Sequence, residues 1–187
     1  MAAPVKITEE AVLSAALGVV RSGGMEALNA RSLARALGCS TQPIFRCFDS
    51  METLRQAVLD EAHRVYRTDL EARKTDGRYP PYKASGMAYI GFASQEPQLF
   101  RLLFMRSRKG DGEGPEHADW APDTALAGQT AGIEPEAAQL FHLEMWAVVH
   151  GLAVMQATGY LRLEEETIGR VLTDAFRGIK TRWEEGK

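Results

Sequence analysis

Side chains that could contact DNA bases lie close together between Thr41 and Arg46. Gln42 can form a bidentate pair with adenine, and Arg46 can reach guanine or a phosphate. Thr41 and Pro43 can touch the methyl group of thymine. Such contacts require a helix that carries these side chains into a major groove. The segment therefore predicts a DNA contact if the flanking elements form a helix-turn-helix.

The flanking sequence, LNARSLARALGCSTQPIFRCF over residues 28–48, has the spacing of two short helices joined by a tight glycine turn. Asn29 is suited to cap the first helix, which is predicted to end at Gly38. The second is predicted to run from a cap near Ser40 to Phe48. Apolar residues at helical spacing are predicted to pack inward from both helices: Leu33, Ala34, Leu37, Ile44 and Phe48. The same pattern also occurs in helical proteins that never meet DNA, so it leaves both interpretations open.

The remaining chain also has helical rather than strand periodicity, which predicts an all-α fold. A first helix is predicted from about Thr8 to Ser22, and a long one from Ser50 to about Thr75, before the breakers Gly77 and Pro80. Further helices are predicted at about 82–95, 97–106, 122–132, 135–158 and 164–184. The polar, glycine-rich stretch at about 107–118 is predicted to be a mobile loop.

Composition narrows the class of protein. The 187 residues are 45% hydrophobic, and the net charge of −3 argues against nucleic-acid binding by bulk charge alone. Residues 1–48 nevertheless carry a charge of +2, so a small basic unit precedes a larger acidic one. The two cysteines, Cys39 and Cys47, are too few for a disulfide scaffold and favour a cytoplasmic location. No apolar run has the length of a membrane helix, so no membrane partner is expected.

The sequence contains no common catalytic motif. HExxH, a P-loop and G-x-S-x-G are all missing, and no close carboxylate pair accompanies a histidine base. His142 and His150 are eight residues apart, which is about 80° around a helix, so a shared metal site is not expected. We therefore expect neither an enzyme nor a protein with a metal or cofactor.

Residues 7–60 resemble the DNA-binding domain of the tetracycline-repressor (TetR/AcrR) family of bacterial regulators. The resemblance is carried by ITEEAVLSAALGVVRSGG, LNARSLARALGCS and IFRCF, followed by the helix that begins at Ser50. Farther along, GFA at 91–93, EPQLFRLLF at 96–104 and the Trp146, His150, Gly151 signature resemble a Trp-His-Gly subgroup. The resemblance implies a helix-turn-helix domain at 1–49 and a helical-bundle domain for ligand binding and dimerisation at 50–187. It further implies a homodimeric repressor that leaves a pseudo-palindromic operator when a small effector binds.

The resemblance also assigns DNA contacts by position. Arg31, Thr41, Gln42 and Pro43 would address bases. Positions 45, 47 and 51 usually hold tyrosine, tyrosine or histidine, and lysine, which bind phosphates, whereas this chain has residues without those donors. The complete predicted DNA-binding set is Lys6, Arg31, Ser40, Thr41, Gln42, Pro43, Phe45, Arg46, Cys47 and Met51. Because phosphate contacts supply much of the affinity, weaker binding with a shallower salt dependence is expected.

The larger domain contains apolar and histidine residues that could line a ligand cavity. They are Tyr89, Phe92, Phe100, Phe104, Trp120, His142, Met145, Trp146, His150 and Met155. Small and apolar residues of the last two helices are predicted to form the dimer interface: Ala147, Gly151, Val154, Leu172, Ala175, Ile179 and Trp183. Ordinary core packing is the alternative for both sets. A largely apolar ligand is expected if the cavity exists.

Two further alternatives remain open at the level of sequence. The absent phosphate donors favour, as a second interpretation, a helical small-molecule-binding protein that has lost sequence-specific DNA binding. Cys39 and Cys47 flank the predicted recognition helix and could form a redox switch, although a low thiol pKa would need a helper and only Arg46 is near in sequence.

Overall fold

The computed structural model describes residues 7–105 and 120–185, and α-helices dominate both ranges. No β-strand lies in these ranges, which confirms the predicted all-α fold. A single 3₁₀ turn, Met25–Ala27, follows the first helix. The α-helices are α1 Glu9–Gly23, α2 Ala30–Leu37, α3 Ile44–Cys47, α4 Met51–Lys74, α5 Pro81–Gln95, α6 Pro97–Phe104, α7 Trp120–Ala131, α8 Pro135–Thr158 and α9 Glu165–Glu185.

Local hydrogen bonds explain where the early helices begin and end. Thr8 accepts a hydrogen bond from the backbone N–H of Ala11, which caps α1 as its sequence predicts. Asn29 and Ser32 form a reciprocal capping box at the start of α2. Gly38 ends α2 with φ of +64°, a left-handed conformation that glycine adopts without strain.

The recognition helix is shorter than predicted. Helix α3 has one turn, Ile44–Cys47, and does not begin near Ser40. The carbonyl of Thr41 accepts from the N–H groups of Ile44 and Phe45, so a hydrogen-bonded turn precedes the helix. Because Pro43 has no N–H, it cannot continue an i to i−4 ladder from Cys39, and the regular helix begins only after it.

The chain divides into two compact units. Unit 1 comprises residues 1–67 and 96–106, and unit 2 comprises residues 68–95 and 107–187. The division therefore falls within α4 instead of before residue 50, and α6 belongs to unit 1. This difference arises because assignment to a unit depends on packing, and Leu99, Phe100 and Leu103 of α6 are fully buried. The predicted mobile loop at 107–118 lies outside the described residues.

Unit 1 has a continuous apolar core. Val12, Ala16, Leu17 and Val20 of α1 are buried. Other buried members are Leu28, Leu33, Ile44, Phe48, Leu54, Val58, Leu99, Phe100 and Leu103. At the edge of this core, Arg21 of α1 donates from Nε to both carboxylate oxygens of Glu96, at 3.1 and 3.0 Å. The core and this ion pair fix α6 against α1.

Unit 2 is built around α8, which packs against α5, α7 and α9. Phe141 and Met145 of α8 are buried together with Tyr82, Ala127 and Ala131. A helix that is apolar on several sides must be covered on several sides, and three neighbours supply that cover. The result is a helical bundle whose core residues come from four separate segments of the chain.

Candidate functional site

The helix-turn-helix has its predicted inward side. Leu33 and Ile44 are fully buried, and Ala34 and Phe48 are nearly so, whereas Leu37 is half-buried. These side chains pack into the core of unit 1, where α2 and α3 both contact α1. The outward side is therefore fixed by packing, because residues between the buried ones must face away from the core.

The outward side carries most of the residues predicted to contact DNA. Gln42, Phe45 and Arg46 are exposed, with 46% of Phe45 accessible. Arg31 and Ser40 are also exposed, and Thr41 and Pro43 are half-buried. Ser40 precedes a turn and is not the cap of α3. Lys6 lies outside the described residues.

The three positions without the usual phosphate donors differ in exposure. Phe45 is exposed, whereas Cys47 and Met51 are half-buried. The Sγ atom of Cys47 lies 3.9 Å from the carbonyl oxygen of Ile7, which directs it toward the protein. At the start of α4, Ser50 Oγ accepts from the N–H of Thr53, so the helix is capped by its own side chain. Within the described part of this surface, the exposed cations are arginines, including Arg35 on α2.

The two histidines predicted to bind ligand each pair with a tyrosine of α5. His142 Nδ1 lies 3.0 Å from the hydroxyl oxygen of Tyr82, and both side chains are buried. His150 Nδ1 lies 3.0 Å from the hydroxyl oxygen of Tyr89, and its ring stacks on Trp146. Burial lowers the pKa of both histidines below the usual value. Burial in the bundle therefore favours the neutral form of both histidines.

The other predicted ligand residues do not form one group. Phe92 and Met145 are buried in unit 2, whereas Phe104 and Phe100 belong to unit 1. Phe104 contacts the ring of Tyr66 edge to face at a centroid distance of 5.0 Å. Met155 is 36% exposed. The side chain of Trp120 lies outside the described part of the structure, so that prediction has no geometry to set against it.

Unit 2 also contains a pocket of about 170 Å³, at a place that sequence reasoning missed. The pocket is lined by residues of α4, α5, α8 and α9 and of the segments joining them. The predicted ligand residues are not among its lining residues. Its polar wall includes Arg73, Gln95 and Gln156, and its apolar wall includes Met87 and Ile168. The one feature of the sequence that could have indicated this pocket is Gln156, a polar residue near the end of a helix that is otherwise strongly apolar.

The residues predicted to form the dimer interface differ in how far their side chains are buried. On α8, Ala147 is exposed, and Gly151 and Val154 are half-buried. A Cβ atom placed on Gly151 would meet nothing within 4 Å, so this face is open. Sequence reasoning missed Leu140 and Leu143, which are 48% and 44% exposed and extend the same stripe toward the start of α8.

The α9 residues of the predicted interface are more buried than those of α8. Leu172 is 3% exposed, so its side chain is covered within its own unit and offers little surface to a partner. Ala175, Ile179 and Trp183 are partly buried and pack against the core of their own unit. The indole N–H of Trp183 donates to Glu144 at 3.2 Å. The apolar stripe of α9 faces inward because α8 offers the nearest apolar surface to cover it.

In the described ranges, no three histidine, cysteine, aspartate or glutamate residues are grouped so that they could hold a metal ion. None of the helices described is both long and apolar enough to cross a membrane.

Comparison with known proteins identifies the family. The family model "Tetracyclin repressor-like, C-terminal domain" matches residues 82–177, which is about half of the chain and corresponds to α5 to α9. The chain belongs to the TetR family. A relative from Mycobacterium tuberculosis, described as an uncharacterized HTH-type transcriptional regulator, is 26% identical over 170 residues. That alignment covers 86% of this chain and 75% of the relative.

Solved structures show the same TetR fold. A TetR-like transcriptional regulator from Rhodococcus sp. RHA1 superposes with a TM-score of 0.69 at 15% identity, over 100% of both chains. The multidrug binding protein EbrR, solved with imidazole, gives a TM-score of 0.51 at 16% identity, over 88% of this chain and 87% of that one. At these identities the likeness concerns the fold alone. This TetR-family chain is thus an all-α transcriptional regulator by family.

Proposed function

We propose that this TetR-family protein is a homodimeric repressor that binds a pseudo-palindromic operator and leaves it when a small, largely apolar molecule binds. The observation that carries the proposal is the exposed row of Gln42, Phe45 and Arg46 beside a buried Ile44. A rigid inner side and a base-reading outer side are what a recognition helix needs.

Each exposed side chain of this row has a partner in a major groove. Gln42 can pair with adenine through its amide, and Arg46 can donate to guanine or to a phosphate. Phe45 can contact a thymine methyl group, because its ring is apolar and accessible. Arg31 and Arg35 on α2 are exposed and available for the backbone of the duplex.

This surface has few side chains that can donate a hydrogen bond to a phosphate. Phe45 and Met51 supply no hydrogen-bond donor from their side chains, and Cys47 points toward Ile7. Few cations then neutralise phosphates, and each lost contact reduces the slope of log affinity against log salt by about 0.9. We therefore propose weaker binding with a shallower salt dependence than a surface with tyrosine and lysine at these places would have.

The exposed stripe of α8 supports the proposed homodimer. Leu140, Leu143, Ala147, Gly151 and Val154 follow one another at spacings of three and four, so they share one face of the helix. Two copies of α8 could approach closely at Gly151, where no side chain intervenes. A second copy also supplies the second recognition helix that a two-fold operator requires.

Leu143→Glu tests this interface. A buried carboxylate without a partner should shift the protein from dimer to monomer in sedimentation equilibrium. Leu161→Glu is the matched control, because Leu161 is 43% exposed and lies beyond the end of α8. A dimer that persists in Leu143→Glu at the wild-type dissociation constant would refute this interface.

Selection of bound duplexes from a random DNA pool, at low salt and with the full chain, tests DNA recognition. Enrichment of a two-fold symmetric site is expected, and Gln42→Ala should relax preference at one position of each half-site, by about 1–3 kcal/mol of discrimination. Gln129→Ala, an exposed glutamine of α7, should leave the site unchanged. The absence of any enriched site from a folded dimer would contradict the proposal.

A helical small-molecule-binding protein without sequence-specific DNA binding is the second candidate. The absence of phosphate donors at positions 45, 47 and 51 favours it. Its expected result is ligand binding by a folded protein that retards no duplex even at low salt. A duplex retained at low salt and released by competing salt would contradict it, because that behaviour requires phosphate contacts.

A further inference from the structure

The pocket in unit 2 lies where four segments of the chain meet. The C-terminal end of α4 supplies Arg73, and α5 supplies Met87 and Ile90. The end of α8 supplies Gln156, and the start of α9 supplies Ile168. Its volume of about 170 Å³ is close to the ~150 Å³ of an engineered apolar cavity that holds benzene. The pocket therefore has room for a molecule about the size of one substituted ring.

Gln156 places a polar group on the pocket wall. The residue is 8% exposed, and its Nε2 atom donates to the carbonyl oxygen of Leu163 at 2.9 Å. Gln156 lines the pocket, and its Oε1 atom is neither hydrogen-bonded to a described residue nor fully buried. This oxygen is therefore available to accept a hydrogen bond from an occupant of the pocket.

Arg73 supplies a second polar group to the lining of the pocket. Its Nε donates to Asp69 at 2.7 Å, and its Nη2 donates to Gln95 Oε1, which fixes the plane of the guanidinium. A Cβ atom on Gly91 would lie 2.8 Å from Nη1, so the missing side chain of Gly91 makes room for this group against α5. Nη1 donates to no acceptor among the described residues. The pocket thus presents a fixed donor as well as an acceptor.

The charges around the pocket determine what kind of molecule fits. Arg78 contacts Asp76 at 3.5 Å and Glu165 at 3.4 Å, and Arg73 contacts Asp69. Each guanidinium is therefore already neutralised by a carboxylate. A charged ligand would have to lose its hydration without an unpaired countercharge, which is unfavourable. A neutral ligand has no such penalty.

We propose that this pocket binds a neutral, single-ring molecule that has a hydrogen-bond acceptor at one end and a donor at the other. The acceptor, such as a carbonyl oxygen, receives a hydrogen bond from Arg73, and the donor, such as a hydroxyl, pairs with Gln156 Oε1. The ring packs on Met87, Ile90 and Ile168. This inference rests on the proposed function in one respect only, namely that the bound molecule acts as the effector.

The direct test is isothermal titration calorimetry of the full chain with 4-hydroxyacetophenone, a neutral ring with one donor and one acceptor. Acetophenone lacks the donor, and 4-ethylphenol lacks the carbonyl acceptor. Each is expected to bind about three- to tenfold more weakly, which is the value of one hydrogen bond. 4-Hydroxybenzoate, which carries a charge, should also bind more weakly. Undetectable binding of 4-hydroxyacetophenone, or tighter binding of 4-hydroxybenzoate, would overturn the proposal.

Two variants test whether 4-hydroxyacetophenone binds in this pocket. Gln156→Leu should abolish the preference for 4-hydroxyacetophenone over acetophenone, because it removes the acceptor. Gln129→Leu, the same change at an exposed position outside the pocket, should keep the preference. If Gln156→Leu does not fold, Gly91→Ala provides a second test. Its added methyl group displaces Arg73, so the preference over 4-ethylphenol should fall. An unchanged preference in a folded variant would place the ligand elsewhere and refute the site.

A separate readout distinguishes this inference from the proposed function. Calorimetry needs no DNA, so it tests ligand binding at the pocket independently of operator binding. Adding 4-hydroxyacetophenone to the protein–DNA complex should release the duplex, and Gln156→Leu should prevent that release at the same ligand concentration. Binding without release would refute the effector role, whereas release without the Gln156 dependence would refute the pocket.

Discussion

Replacing Tyr82 with phenylalanine tests whether the Tyr82–His142 pair stabilises the bundle. The substitution removes one hydroxyl group and leaves the ring in place. Tyr82 is 9% exposed and His142 is 8% exposed, so neither atom of the 3.0 Å hydrogen bond regains full contact with water when the other is lost. The variant therefore isolates the contribution of a buried polar pair.

The size of the effect follows from this burial. Removing one partner of a buried hydrogen bond costs about 1–3 kcal/mol, and here the Nδ1 atom of His142 loses the Tyr82 hydroxyl. A loss of about 2 kcal/mol corresponds to a decrease of about 4–8 °C in Tm for a chain of this length. Because both partners lie in the core of unit 2, the loss should appear in the unfolding of that unit.

Urea denaturation followed by circular dichroism measures the change. Tyr160→Phe is the matched control, because Tyr160 is 82% exposed and should change stability by less than about 0.5 kcal/mol. The double variant Tyr82→Phe with His142→Leu removes both partners and should be less destabilised than the sum of the single variants. Equal stability of Tyr82→Phe and Tyr160→Phe would show that the hydrogen bond does not matter, and the reasoning from burial would be refuted.

Phe45→Tyr should tighten operator binding by up to about tenfold, because a hydroxyl can donate to a phosphate, as fluorescence anisotropy would show. Met51→Lys should in addition make the slope of log affinity against log salt more negative by about 0.9, and an unchanged slope would mean that position 51 does not reach the duplex. Asn29→Ala removes the capping box of α2 and should lower the free energy of unfolding by about 1 kcal/mol in urea titration, with no loss arguing that the cap is redundant. Stability should also decline as the pH falls below the ordinary histidine value of 6.5. Burial lowers the pKa of His142 and His150 in the folded state, so the unfolded state binds more protons there, and a flat profile between pH 7 and 5.5 would contradict this assignment.

Features that depend on neighbours in sequence were predictable. Thr8 and Asn29 cap the helices that follow them, and Gly38 ends α2, because each acts on backbone groups within a few residues. The long helices α4, α5, α8 and α9 also begin and end close to their predicted positions, because their apolar periodicity extends over many turns. Helix α3 is shorter than predicted. Pro43 has no N–H to donate to a residue four positions earlier, and in a helix of one turn this missing hydrogen bond outweighs the apolar periodicity.

The sequence by itself thus determined the helices, their caps and the side of the helix-turn-helix that faces outward. Tertiary structure decided which apolar stripe is covered within the chain. The two stripes predicted to form the dimer interface have similar spacing, yet Leu172 of α9 is buried and Leu143 of α8 is exposed. The α9 stripe packs against the core of unit 2, whereas this stripe of α8 lies on the side of the helix that faces away from that core. Tertiary structure also assembled the pocket, since Arg73, Gly91 and Gln156 are distant in sequence and come together only when α4, α5 and α8 pack. Helix formation is governed by local hydrogen bonds, whereas burial and pocket formation are governed by contacts between distant segments, which periodicity along a single helix does not encode.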